Sequence, residues 1–454
     1  MTQIWASQAL LPSGWAPDVS VEIDETGHIV RVTPGAPPAG HRTGLLLPAP
    51  ANAHSHAFQR AMAGLTETRG PDPRDTFWTW RQLMYRFLDR LTPDQVQAIA
   101  ALVQMEMLES GYATNVEFHY LHHQPGGLPY DDSAEIVHRI VAAAQETGIG
   151  LTLLPVQYEF GGVDRRPLGP GQIRFGNTPD QFARLMDASR AALTPLPPDA
   201  RIGVAPHSLR AVTPEAIRNA AALAQGSPIH MHLAEQLAEV TEVEAAYGAR
   251  PVDWLLGHTE ITPQWCLIHC TQMQPHETKA LARTGAVAGL CPITESSLGD
   301  GIFEGLRWME AGGRIAIGSD SNIRIALSEE IRTLDYSQRL RDHSRAALAT
   351  PAHSTGRRLM DAATAGGAQA AGRNTGQIAR GFLADLMALD DSHIDLADRP
   401  GDTALDIWIF AGDDRMVRDV WAAGRHMVQG GRHIARDAIT HRYAAAMKPL
   451  RDAL

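Results

Sequence analysis

The stretch Gly44-Leu-Leu-Leu-Pro-Ala-Pro-Ala-Asn-Ala-His-Ser-His56 decides the fold. An apolar run ends in two histidines, His54 and His56, spaced two apart. Side chains alternate along a strand, so residues i and i+2 point the same way. Two imidazoles aimed at one spot make half of a metal site. The same design returns down the chain. Short runs rich in Val, Ile and Leu predict strands over 45–56, 113–120, 150–158, 202–207, 229–233, 265–269, 286–291 and 314–319. Helical patterns lie between them, for example over 94–110, 133–147 and 214–225. Eight such alternations predict an α/β fold, a (β/α)8 TIM-like barrel. A doubly wound open sheet is disfavoured, because no Gly-x-Gly-x-x-Gly turn follows the first strand.

The two ends read differently. Short β segments at 19–23 and 29–33 precede the barrel. After about residue 370, strands are predicted at 386–389, 406–410 and 416–422, with turns at Gly412 and Gly424 and a helical tail over 435–454. Strands flanking a barrel on both sides suggest a small β-sandwich module built from both termini. The expected division is 1–44 and 370–454 for that module and its terminal helix, with 45–369 for the barrel.

Composition narrows the function class. A chain of 454 residues is long enough for a large barrel with an appendage. Its net charge of -11 argues against a nucleic-acid surface. No apolar stretch approaches the ~20 residues of a membrane span, and no basic start with an apolar core follows the first methionine. Cys266, Cys270 and Cys291 have neither zinc-ribbon spacing nor a disulfide pattern, so they read as reduced, buried and cytoplasmic. A homodimer is the commonest oligomer, though no interface signal singles one out.

Barrel enzymes place chemistry at the carboxyl ends of strands. Those ends carry His54 and His56, then His230-Met-His232-Leu-Ala-Glu235, then His269, then Asp320. Nitrogen ligands with one carboxylate suit zinc or a similar divalent ion. The order His-x-His, His-x-x-Glu, His and Asp resembles the amidohydrolase superfamily, and so does Gly376-Gln-Ile-Ala-Arg-Gly-Phe-Leu-Ala-Asp385 near the return to the terminal module. The resemblance implies His54, His56, His232 and Asp320 as metal ligands. It implies Glu235 as proton shuttle, and His269 and Asp320 as the other catalytic groups. His230 shares a strand face with His232, but the family's glutamate follows its ligand by three residues, which selects His232. Two-metal members bridge their ions with a carboxylated lysine after the fourth strand. Only Lys279 and Lys448 occur here and neither is near, so one ion is expected, with Zn2+ favoured.

Substrate contacts are sought on neighbouring loops. Arg210, three residues past His207 in His-Ser-Leu-Arg, can hold a carboxylate with two hydrogen bonds. Gln59, Tyr120 and Arg81 are further candidates, Arg81 from the aromatic-rich Phe77-Trp-Thr-Trp-Arg-Gln-Leu-Met-Tyr85. The wording around these residues resembles the formimidoylglutamate deiminases within the superfamily. It includes His54-Ser-His-Ala-Phe-Gln-Arg-Ala-Met-Ala-Gly-Leu65, Glu117-Phe-His-Tyr-Leu-His-His123, Ala205-Pro-His-Ser-Leu-Arg210, Gly318-Ser-Asp-Ser-Asn322 and Cys291-Pro-Ile-Thr-Glu-Ser-Ser-Leu-Gly-Asp-Gly301. That resemblance implies a small anionic substrate, N-formimidoyl-L-glutamate, hydrolysed to N-formyl-L-glutamate and ammonia in histidine breakdown. The rivals are a deaminase acting on a purine, pyrimidine or thioadenosine-type ring, and a barrel that only binds.

Overall fold

The computed structural model describes residues 1–67 and 77–451. Its barrel strands run in parallel from Ala51–Ser55 through Thr114–His119, Gly150–Gln157 and the short pieces Arg201–Ile202 and Ala205–Pro206. They continue through Ile229–Leu233, Trp265–His269, Val287–Leu290 and Arg314–Ile317. Bridges Val204↔Ile229 and Ser55↔Asp320 close the ring. The second bridge brings the first and last strand ends, and thus His54, His56 and Asp320, side by side.

Helices cover the strands because their apolar faces need burial. Pro93–Glu109 starts from a Thr92–Gln95 capping box and buries eleven residues. The helix Thr355–Ala371 runs its last turns beneath the barrel floor. A Cβ on Gly366 would lie 1.9 Å from the Ile315 carbonyl oxygen, so only glycine lets that helix approach. On the same floor His230 meets the Ala370 carbonyl through Nε2 at 2.8 Å.

The strand expected over 45–56 is two strands. His41–Pro48 pairs with Thr2–Leu11 and with Leu386–Leu389, and so belongs to the terminal module, crossing the expected boundary at residue 44. Pro48 and Pro50 bracket the break, since proline cannot donate to a ladder. The module is one eight-stranded sheet from both chain ends, curled around an apolar core that includes Ile4, Val19, Val21, Leu46, Leu386 and Trp421. Its far edge returns on itself: Ala384 N–H donates to Gly27 O at 2.8 Å, so the sandwich is a single folded sheet. The segment predicted as a strand at 406–410 is the end of a helix, Asp402–Phe410. Its buried Ala404, Leu405, Trp408 and Ile409 recur with helical spacing.

Arg373 joins the two layers. Its buried guanidinium contacts Asp199 at 3.0 Å and Asp385 at 3.1 Å. The three cysteines are buried and unpaired. Among the described residues no helix is long and apolar enough to cross a membrane.

Candidate metal centre and active site

Three strand ends deliver the four predicted ligands to one place. His54 Nε2 lies 3.1 Å from His232 Nε2, and Asp320 Oδ1 lies 3.5 Å from His54 Nε2 and 3.3 Å from His56 Nε2. The ring orientations are fixed from behind. His56 Nδ1 meets the Phe118 carbonyl at 3.0 Å and His232 Nδ1 meets that of His207 at 3.1 Å. A carbonyl only accepts, so both rings carry their proton on Nδ1 and present a bare Nε2 to the centre. Burial holds His54, His56 and His232 far below the ordinary imidazole range, His56 at about 3. Neutral imidazoles with converging lone pairs are what a cation requires. Burial, helped by the charges of Glu235 and Glu295 and opposed by that of His269, pushes Asp320 up to about 7, and a nearby divalent charge would favour its carboxylate instead. The donor set therefore fits a divalent ion.

The strand ends are bent to achieve this. Ala234, His269, Cys270 and Asp320 all adopt positive φ, between 45° and 71°, a region costly for residues with a Cβ. A buried network braces the first and last of these ends: Asn52 to Ser319, Ser319 to Asn322, Asn322 to Ser55, and Ser55 to Glu117, at 2.6 to 3.1 Å. Glu117 also accepts from Ala57 N–H at 2.8 Å, so it holds the segment on both sides of His56.

Around this centre opens a pocket. Its walls include His56, His232, Asp320, Glu235 and His269, together with Gln59, Arg81, Tyr120, His207 and Arg210. All five expected substrate contacts thus reach one chamber. Glu235 is not free: its Oε2 accepts from Arg210 Nη2 at 2.7 Å. Burial alone would raise its pKa, but Arg210 and His269 hold it below the usual carboxylate value. His269 is the converse case. Burial opposes its charge, yet Glu295 at 3.3 Å, with Glu235 and Asp320, raises it to about 10.

Several residues escaped the sequence reading. Tyr158, at the end of the third strand, takes a hydrogen bond from Arg81 Nη2 at 2.7 Å. Trp80, Met84, Phe175 and Leu298 complete the wall. Glu239, fully buried, accepts from the Glu235 N–H at 3.0 Å and stands 4.0 Å from Arg210 Nε. Glu295 lay inside a quoted block but was given no role. His230 faces the floor, away from the cavity.

Comparisons with known proteins accord with this geometry. Residues 45–427 match the amidohydrolase family, and residues 1–43 match the N-terminal domain of formimidoylglutamate deiminase HutF. A formimidoylglutamate deiminase from Pseudomonas aeruginosa is 46% identical over 458 residues, covering 100% of both chains. An 8-oxoguanine deaminase from the same species is 28% identical, covering 88% of this chain and 87% of its own. A crystal structure of an amidohydrolase from Brucella melitensis superposes with a TM-score of 0.95 at 45% identity, covering 99% of this chain and 100% of that one. The chain belongs to the amidohydrolase family, in its formimidoylglutamate deiminase branch.

Proposed function

We propose that the chain hydrolyses N-formimidoyl-L-glutamate to N-formyl-L-glutamate and ammonia, with one zinc ion held by His54, His56, His232 and Asp320. The observation that carries the substrate reading is the pair Arg81 and Arg210 facing the ligand cluster across one cavity, in a chain whose net charge is -11. A dicarboxylate substrate needs fixed cations, and a flat apolar ring does not. A divalent ion in such a site lowers the pKa of water from 15.7 to ~7, which makes a nucleophile available at neutral pH.

The protein groups divide the remaining work. Arg210, with Gln59, Tyr120, His207 and Arg81, fixes the carboxylates so that the formimino carbon faces the water oxygen. As the new C–O bond forms, Asp320 takes a proton from that oxygen. Glu235 relays to the imino nitrogen this proton and the second one that the oxygen loses as the carbonyl forms, the C–N bond to that nitrogen breaks, and ammonia departs. His269, carrying a proton against Glu295, donates to the oxygen as negative charge builds on it.

Ammonia release from N-formimidoyl-L-glutamate, set beside guanine, cytosine and adenosine, tests the substrate. Release from a ring and none from the linear amidine would overturn this reading. Steady-state kinetics of Arg210→Ala test the clamp. A kcat/KM within about threefold of wild type, under ~1 kcal/mol in transition-state binding, would remove Arg210 from substrate contact.

A further inference from the structure

A second cluster of metal-binding side chains lies in the terminal sheet, apart from the barrel. His41 opens the strand His41–Pro48, Asp419 lies in Val417–Ala422 and His426 in Arg425–Gln429. One ring nitrogen from each histidine and one Asp419 oxygen fall within 4.8 Å of one another. We propose that His41, Asp419 and His426 form a second divalent-metal site, of the kind that takes zinc or copper(II), independent of the catalytic centre.

Register explains why three strands converge. His41 pairs with Ile4 and Thr43 with Ala6, and Ile4 and Ala6 belong to the module core. His41 and Thr43 therefore face inward, as does the core residue Trp421, two residues from Asp419. Trp421 braces both imidazoles: it stacks on His426 at 4.5 Å and meets His41 edge-on at 5.5 Å. Rings held this way are already oriented before an ion arrives.

The donors suit a cation. His426 Nε2 lies 2.8 Å from Asp419 Oδ1, and His41 Nε2 lies 3.4 Å from Oδ2. Ligands about 2.0–2.2 Å from a zinc ion stand about 3 to 3.5 Å from each other, so these spacings need little adjustment. His41 Nε2 is shielded from solvent and makes no hydrogen bond, although it faces a carboxylate. Two imidazoles and one carboxylate suit a borderline metal, and the 37% exposure of the His41 side chain leaves room for a water as the next ligand. Asp419 Oδ2 also accepts from Thr43 Oγ1 at 3.1 Å and lies 3.6 Å from Arg418 Nε. Arg418 is the competing cation, on a side chain 41% exposed that can swing away.

The test uses the full chain, stripped with chelator and dialysed against low-micromolar Zn2+ near neutral pH, with metal counted per chain by mass spectrometry. Wild type is expected to hold one more zinc than His41→Gln and than His426→Gln, whatever the count in the barrel, while both variants keep kcat/KM within twofold. Arg418→Ala is expected to tighten this extra site. A variant-free measurement runs beside these: zinc should slow acylation of His41 and His426 by diethylpyrocarbonate, read by peptide mapping. Equal zinc content in all three proteins overturns the proposal, and so does acylation at the same rate with and without zinc.

Discussion

Arg210→Met is expected to destabilise the fold by an amount that depends on pH in the unusual direction. In the wild type this guanidinium sits 2.7 Å from Glu235 and 4.0 Å from Glu239, and all three side chains are buried. Removing it leaves two carboxylates facing each other, and breaking a buried pair in this way commonly costs about 3–5 kcal/mol. The variant can escape by keeping one carboxyl protonated. From an ordinary glutamate pKa of ~4.3, that costs about 3.7 kcal/mol at pH 7 but only about 1.6 kcal/mol at pH 5.5. The folded variant then binds a proton that the unfolded chain lacks, so its stability rises as pH falls. Thermal unfolding of wild type and variant at the two pH values reads the difference. For a chain of this length about 1 kcal/mol moves Tm by roughly 1 °C, so the deficit should shrink by about 2 °C between pH 7 and 5.5. An equal deficit at both pH values, or none at either, refutes the reading of Arg210 as the counter-charge of a buried acidic pair.

Other consequences are as direct. His232→Ala should lose catalytic zinc and ammonia release, whereas His230→Ala should keep both and lose about 1–3 kcal/mol of stability with its bond to Ala370; metal analysis and kinetics on the two variants separate them. Burial holds His119 and His230 at about 4 against an ordinary 6.5. The unfolded chain therefore takes up protons first, and each site should remove about 2 kcal/mol of stability between pH 7 and pH 5; urea midpoints across that window check it. Arg373→Met leaves Asp385 buried without its guanidinium and should cost about 3–5 kcal/mol, visible as a fall of several degrees in Tm.

Strands and ligands were legible because each rests on local periodicity. A barrel strand buried on both faces is a short apolar run, and its polar end is the place where chemistry can sit. The misreadings mark where local pattern is silent. Leu45–Ala51 is apolar throughout, so nothing in it but Pro48 and Pro50 tells the module strand from the barrel strand. Asp406–Phe410 reads as a strand because Ile407, Trp408, Ile409 and Phe410 are β-formers, while the burial of Ala404 and Leu405 in the helix Asp402–Phe410 comes only with tertiary packing. Gln59, His207 and Arg210 were found by their nearness to strand ends. Glu239 and Glu295 were not given roles, since a carboxylate that backs another side chain has no signature until the fold sets its partner.

The pair that most shapes the site could not be foreseen from either residue alone. Arg210 was expected to wait for substrate and Glu235 to wait for a proton, yet they hold each other at 2.7 Å. A carboxylate clasped by a guanidinium is a poor base, because the ionised form is favoured. An incoming substrate carboxylate offers Arg210 a replacement anion. As it takes that place, Glu235 loses the charge that held its pKa down and becomes a better proton acceptor beside the reacting carbon. On the proposed roles of Arg210 and Glu235, substrate binding and proton readiness would thereby be coupled through one guanidinium. A monocarboxylate analogue that leaves Arg210 on Glu235 should lose kcat as well as affinity, and pH profiles of kcat for the two substrates would show it. A loss confined to KM would mean that Arg210 binds without priming Glu235.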